Sequence, residues 1–539
     1  MLNKLVAEVW RRRKPGLRPG AVAANNATQQ LLRAVQLVGQ GELTAAHAIC
    51  VALLASDPGL ADASNVLGVI ALRRREFALA VEHFSEAVAL VPDNAEFCNN
   101  YGSALAGQWR TEEAIAAFRR ALELEPRHPR AHPNLLWLMT MRPEFSAEER
   151  YLEHCRWAEA CAEGFRIPER DFENGRDPVR VLRIGYVSSD FRTHAVGHFI
   201  EPILAHHDRR NVVPVCYSNS RAEDAATERM RAHAAEWRDI AALSDDEADA
   251  LVRQDRIDIL IDLSGHTRGN RLLVFARRPA PVQVTFLGYQ ATTGMSAIDY
   301  RLTDALADPP GAERYYRERL YRLPCNLWCY LPRFKTPDVN PLPALRTGQV
   351  RFCSMNGEAR FNAAVIGAWS RVLIRVPAAR MFLGAVPHGE FEKRIRDEFA
   401  RHGIGEARLE IADRVELPEY YKLFAGVDIA LDAFPCNGAT TTCDSLWMGV
   451  PVVSLAGDEF RSRAGLSLLT AAGLPHLIAR SADEYVDIAA ALASDVPALA
   501  ELRAGLRERL RVSPLADIGA YVAALEEAYR GMWRNWCHA

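Results

Sequence analysis

The sequence lacks several features that would place it in a class at sight. No uninterrupted apolar run approaches the ~20 residues that a membrane-spanning helix needs. The first residues, MLNKLVAEVWRRR, put a short apolar stretch ahead of their charge, the reverse order of a secretory leader. The eleven cysteines are scattered and form no paired CxxC sets of zinc spacing, so they read as reduced, mostly buried thiols, and the cytoplasm is the expected location. A formal net charge of -3 leaves no overall electrostatic footprint for tracking a phosphate backbone, and nucleic acid is not an expected partner. Long disordered tracts are excluded as well, because 49% hydrophobic and 25% charged residues are the proportions of a chain able to bury a core.

What is present begins with a repeat. At 539 residues the chain exceeds one ordinary core, so several domains are expected. Pro58, Pro92 and Pro126 recur at a 34-residue step, as do Ala46, Ala80 and Ala114. Gly68 and Gly102, Phe84 and Phe118, and Ala87 and Ala121 keep the same step. That period and those residue types match the tetratricopeptide pattern, in which small residues let two antiparallel helices approach and proline ends the second. The array is expected from residue 27 to 145, after an N-terminal extension over 1–26. Its helices either pack on the rest of the chain or hold a polypeptide in a short concave groove, and nothing in the sequence identifies such a ligand.

Beyond a polar stretch, read as a helical linker over 146–180, the texture changes. Runs such as VLRIGYVSSDF (181–191), VVPVCYS (212–218) and IDILIDLSG (257–265) are short, β-branched and apolar on both faces, as buried parallel strands are. The alternation resumes at VRFCSMNG (350–357), ARMFLGA (379–385), LEIAD (409–413), DIALDAF (428–434) and PVVSLAG (451–457). The fold expected is therefore an α-helical solenoid followed by two doubly wound α/β domains, at 181–345 and 346–539, with a less regular connection near 305–348. Ligands of such sheets sit beyond the carboxyl ends of the strands, which directs attention to the loops there.

Three loops qualify. SSDFRTHAVGHF (188–199) places His194 and His198 just after the first strand, and a histidine pair there is a candidate for proton transfer or for a structural role. SGHTRGNR (264–271) and the segment through LGYQATTG (287–294) bring His266 and Tyr289, with small and hydroxylated residues that suit a sugar-lined pocket or a tight turn. DAFPCNGATTTCDSLWMGVPVVSL (432–455) sets Asn437, Gly438, Ala439, Thr440, Thr441 and Thr442 between a strand and a helix-like stretch. Backbone N–H groups and threonine hydroxyls at a helix N-terminus converge there, a recipe for a diphosphate, and Asp444 one turn on is placed to accept from ribose hydroxyls. No metal-ligand cluster accompanies this loop, so a basic side chain is expected to meet the leaving charge.

The motifs GYVSSDFRTHAVGH, FARRPAPVQVTFLGY and CNGATTTCDSLWMGVPVV resemble those of the O-linked N-acetylglucosamine transferase family, with its bacterial and SPINDLY-type members, over Val181 to about Trp536. The resemblance implies a GT-B fold, a UDP-N-acetylglucosamine donor held mainly by the C-terminal half, and inverting transfer to Ser or Thr of a protein without a metal or other cofactor. It places His194 at the catalytic histidine, Thr440 and Thr441 at the phosphate-binding threonines, Asp444 at the ribose-binding aspartate, Asn356 at the donor site, and His266 and Tyr289 on the sugar and acceptor side. It also exposes departures. Arg360 stands where the family has a diphosphate lysine, Tyr420 where it has a base-stacking histidine, and Ala439, Leu423 and Gln290 replace other usual residues. These leave open a different nucleotide sugar, GDP- or CMP-linked, or a non-catalytic binding scaffold.

Overall fold

The computed structural model describes residues 21–167, 171–332 and 334–539. The described residues divide into two compact units, the first running to Leu138 and including 389–391, the second being the rest of them. Within the first unit, helices α1 (Ala21–Gln40), α2 (Leu43–Ser56), α3 (Ala61–Arg73), α4 (Phe77–Leu90), α5 (Ala95–Gly107) and α6 (Thr111–Leu124) alternate as antiparallel pairs, and α7 (Ala131–Met141) follows. The conserved step of the sequence has a packing cause. A Cβ on Gly68 would lie 2.6 Å from the Phe84 ring, and one on Gly102 2.8 Å from Phe118, so each repeat needs glycine where the phenylalanine of its second helix lies flat. Ala46, Ala80 and Ala114 are fully buried for the same reason of close approach.

Two boundaries differ from expectation. Helix α1 already begins at Ala21, so residues 21–26 belong to it; the rest of the expected extension lies outside the described residues. The division falls at Leu138/Met139, inside α7, rather than at 145.

The second unit holds two parallel sheets. The first runs in the order β3-β2-β1-β4-β5-β6-β7, from β1 (Leu182–Ser188), β2 (Val212–Ser218), β3 (Glu236–Asp239), β4 (Ile259–Asp262), β5 (Val282–Thr285), β6 (Tyr300–Asp304) and β7 (Arg319–Leu323). The second runs β10-β9-β8-β11-β12-β13, from β8 (Arg351–Ser354), β9 (Arg380–Leu383), β10 (Leu409–Ile411), β11 (Ile429–Leu431), β12 (Val452–Leu455) and β13 (Ile478–Ala479). In each sheet the strand order reverses direction beside the first strand of the block, which is where a ligand crevice forms. The apolar runs of the sequence became these strands because helices cover both faces.

The segment expected as a linker is instead part of this unit. Helix Ala147–Cys161 packs on the first sheet's loops: His154 Nε2 lies 2.9 Å from the Tyr289 hydroxyl, and the Trp157 ring stands edge-on to His266 at 4.4 Å. The irregular connection near 305–348 contains β7, the edge strand of the first sheet. The last helix, Ile518–His538, leaves the second domain and returns to the first. There the Tyr529 and Tyr186 hydroxyls meet at 3.1 Å, and Glu526 pairs with His207 at 2.8 Å. The C-terminal domain thus ends before residue 518, and its chain closes the neighbouring domain.

Candidate active site

The second domain's site is built around Asp432, which follows β11 and is buried. Its Oδ1 accepts from the N–H groups of Ala433 and Gly438, each at 2.9 Å, and its Oδ2 from the Ser454 hydroxyl at 2.8 Å. Burial lifts its carboxyl to about 6, while these donors and the Arg360 charge pull the other way. Asp432 therefore folds the loop 433–439 back onto the strand end. A side chain on Gly438 would collide with Thr441 Oγ1 at 2.0 Å and Asn356 Oδ1 at 2.8 Å, so only glycine leaves room there.

Helix Thr440–Trp447 starts from this loop. Thr441 Oγ1 donates to Asn356 Oδ1 at 3.3 Å, and Thr442 Oγ1 to Gly438 O at 2.6 Å. Thr440 Oγ1 is buried and makes no hydrogen bond. Half-buried Arg360 reaches the same loop, donating to the carbonyls of Asn437 and, at 3.3 Å, Cys436. The structure thus brings Asn356, Arg360, Thr440 and Thr441 together, and the four converge on a helix N-terminus, where partial positive charge favours an anion.

Asp444 is buried, and its Oδ1 accepts from Tyr330 at 2.8 Å and Tyr421 at 3.1 Å. The Tyr420 hydroxyl is buried, its titration pushed well up by burial and by the neighbouring Asp444 carboxylate, and its ring stands edge-on to Tyr421 at 5.4 Å. Tyr330, which the sequence reading missed, also stacks on His198 at 4.9 Å and so links the first domain to Asp444.

In the first domain His194 caps helix Ala195–His206, with Nδ1 accepting from Val196 N at 3.3 Å. Asp190 Oδ2 lies 3.5 Å from the same nitrogen, and the His194 side chain is 39% exposed, so it is open to a reactant. His266 and Tyr289 are not. Both are buried, Tyr289 bonding Thr140 Oγ1 at 3.1 Å as well as His154, and His266 Nε2 meeting Thr293 O at 2.9 Å. They pack in an aromatic cluster with His154 and Trp157. Asp262, at the end of β4, mirrors Asp432. Burial lifts it to about 6, and it accepts from Ser264 N, Gly265 N and the Thr285 hydroxyl on the next strand. Neither aspartate was singled out in the sequence, though each ends a buried apolar run and so had a legible signal.

Two Rossmann-like sheets follow the helix array in sequence, and the second carries an anion-ready loop at its strand switch, the place where such sheets bind ligands. The protein-family model of glycosyl transferase family 41 matches residues 118–329 and 342–525, and that of the tetratricopeptide repeat matches residues 95–128. The chain belongs to glycosyl transferase family 41. It is similar to the probable UDP-N-acetylglucosamine–peptide N-acetylglucosaminyltransferase SPINDLY of Petunia hybrida, 40% identical over 77% of this chain and 45% of that protein. The corresponding SEC protein of Arabidopsis thaliana is 34% identical over 66% of this chain and 37% of its own length. This chain therefore spans under half the length of these curated relatives. Among solved structures, a mutant of the Thermobaculum terrenum O-GlcNAc transferase superposes with a TM-score of 0.86 at 37% identity, covering 96% of this chain and 98% of that one.

Proposed function

We propose that this chain is a protein glycosyltransferase that moves N-acetylglucosamine from UDP-N-acetylglucosamine to a Ser or Thr hydroxyl of a protein, with inversion and without a metal or other cofactor. The observation that carries the reading is the anion cradle at Thr440: a helix N-terminus, an unbonded buried threonine hydroxyl, and the Arg360 guanidinium reaching the same loop from the segment after β8. The names of the family relatives supply the donor and the peptide acceptor. The helix array is the element suited to hold that acceptor.

In the reaction, the acceptor oxygen bonds to the anomeric carbon as the bond from that carbon to the diphosphate oxygen breaks. The diphosphate leaves with the electron pair, and Arg360, Thr440 and Thr441 stabilise the charge that develops. The hydroxyl proton goes to His194. A neutral ring with Nδ1–H directed to Asp190 offers Nε2 as the accepting nitrogen, and Asp190 then stabilises the imidazolium. The alternative tautomer, with Nδ1 capping Val196 N–H, cannot accept at Nε2.

The test is a titration of the purified chain with UDP, GDP and CMP, followed by mass spectrometry of candidate acceptor proteins incubated with the matching nucleotide sugar. UDP binding with a gain of one N-acetylhexosamine on Ser or Thr supports the reading. Selective GDP binding moves the donor to a GDP-sugar. No binding of any nucleotide overturns catalysis and leaves a scaffold.

A further inference from the structure

The segment Thr140–Phe145, which follows the repeat array in sequence, is held by atoms of both Rossmann domains. From the first domain, the Tyr289 hydroxyl meets Thr140 Oγ1 at 3.1 Å. From the second, Arg461 Nη1 donates to Thr140 O at 2.6 Å and to Arg142 O at 2.8 Å, and the Cys436 thiol donates to Thr140 O at 3.2 Å. Arg142 in turn donates to Phe361 O at 3.1 Å, next to Arg360. The circuit closes on the donor loop, because Asn437 N donates to Arg461 O at 2.8 Å.

Both guanidiniums are deeply buried, Arg461 at 5% exposure and Arg142 at 7%. A buried cation needs strong acceptors, and here most of them are main-chain carbonyls of the strap and of the loop bearing Arg360. Arg461 Nη1 holds the Thr140 and Arg142 carbonyls and Nη2 reaches Phe145 O at 3.5 Å, so one planar group spans three carbonyls of the strap in fixed geometry, which an ammonium on a flexible stem does not reproduce. The arrangement also gives Tyr289 a use that its burial otherwise leaves unexplained: it anchors Thr140 from the opposite domain.

We propose that Arg461, with Arg142, is a positioning residue for the donor loop: the Thr140–Phe145 strap acts as a keystone between the two domains, and Arg461 transmits its position to Asn437, Gly438 and Arg360. The inference rests on the donor-site reading above for its effect on nucleotide affinity, but not for its effect on the loop itself. Two readouts separate the two.

The first is hydrogen exchange of the ligand-free full chain. In Arg461→Lys, which keeps the charge and loses the fork, peptides covering 434–442 should exchange about tenfold faster, since the main-chain carbonyl at 461 that accepts from Asn437 N–H is no longer held in place by its own side chain. Peptides from β1 and β2 should be unchanged. The second is nucleotide affinity, where Arg461→Lys and Arg142→Lys should each raise the Kd of UDP, or of whichever nucleotide the wild type binds, by about three- to tenfold. In turnover assays the donor KM should rise more than kcat falls. Thr140→Val, which loses only the Tyr289 link, should shift both readouts in the same direction by less.

Unchanged exchange of 434–442 in a folded Arg461→Lys protein overturns the proposal whether or not a nucleotide binds. Should that variant fail to fold, the same exchange measurement on Arg142→Lys and Thr140→Val decides. A wild type that binds no nucleotide sinks the donor reading alone.

Discussion

Asp444→Ala is the substitution that best separates a ribose ligand from a buried structural acceptor. As a ribose ligand only, Asp444 could be truncated with loss of donor affinity and little loss of stability. The structure predicts otherwise. Alanine would leave the Tyr330 and Tyr421 hydroxyls, both buried, without the acceptor they share at 2.8 and 3.1 Å. An unsatisfied buried donor costs about 1–3 kcal/mol, so the pair should cost about 2–6 kcal/mol before cavity effects. For a domain of about 200 residues that corresponds to roughly 5–20 °C in Tm. Asp444→Asn keeps one carbonyl oxygen in place and should lose only about 1 kcal/mol. Tyr330→Phe removes one of the two donors, so Asp444→Ala in that background should cost about 1–3 kcal/mol less than in the wild type. The assay is calorimetric or urea unfolding of the wild type and the four variants, with far-UV circular dichroism to confirm folding. An Asp444→Ala protein as stable as the wild type would refute the reasoning, and would return Asp444 to a purely ligand-facing role.

Three further outcomes are expected. His194→Ala should lower kcat by about 100-fold or more while leaving nucleotide Kd within twofold, and Asp190→Asn should lower kcat by a smaller factor; wild-type turnover in His194→Ala would reduce that residue to a helix cap. Gly102→Ala should destabilise the array by about 1–3 kcal/mol, because its Cβ would meet Phe118 at 2.8 Å, and Phe118→Leu in the same chain should recover part of the loss; a neutral Gly102→Ala would show that the ring yields freely. His207 is held below its ordinary value, first by burial and against the pull of Glu526, so the unfolded chain takes up a proton near pH 6.5 before the folded one does. Stability tied to this group is then present above about pH 6.5 and lost as pH falls below it, by up to about 1.4 kcal/mol per pH unit. Urea midpoints from pH 7.5 to 5.5 should show a shallower pH slope in His207→Asn than in the wild type, and parallel slopes would count against the assignment.

The sequence alone determined what is periodic or local. The 34-residue step is legible because each repeat buries the same small residues against the same phenylalanine, so one packing solution is written several times. The strands β1, β2, β4, β8, β9, β10, β11 and β12 are legible because each carries a short, largely apolar run, as strands with buried faces do. The loop at Thr440 is legible because an anion cradle at a helix start needs glycine and hydroxyl residues in consecutive places.

Tertiary structure decided what depends on partners far away in the chain. Strand β3 reads as polar because it is a half-exposed edge, and β6 is masked by Arg301, whose charge is satisfied by the Tyr289 and Ala291 carbonyls. The last helix shows no sign in its own residues that it will close the first domain; its partners Tyr186 and His207 lie over 300 positions earlier. The neighbours of Asp444, His266 and Tyr289 were out of the sequence's reach for the same reason. A carboxylate, an imidazole or a phenol has the same donors and acceptors whether it faces a ligand or a buried neighbour, and only the packing of Tyr330, Tyr421, His154 and Thr140 around them settles which.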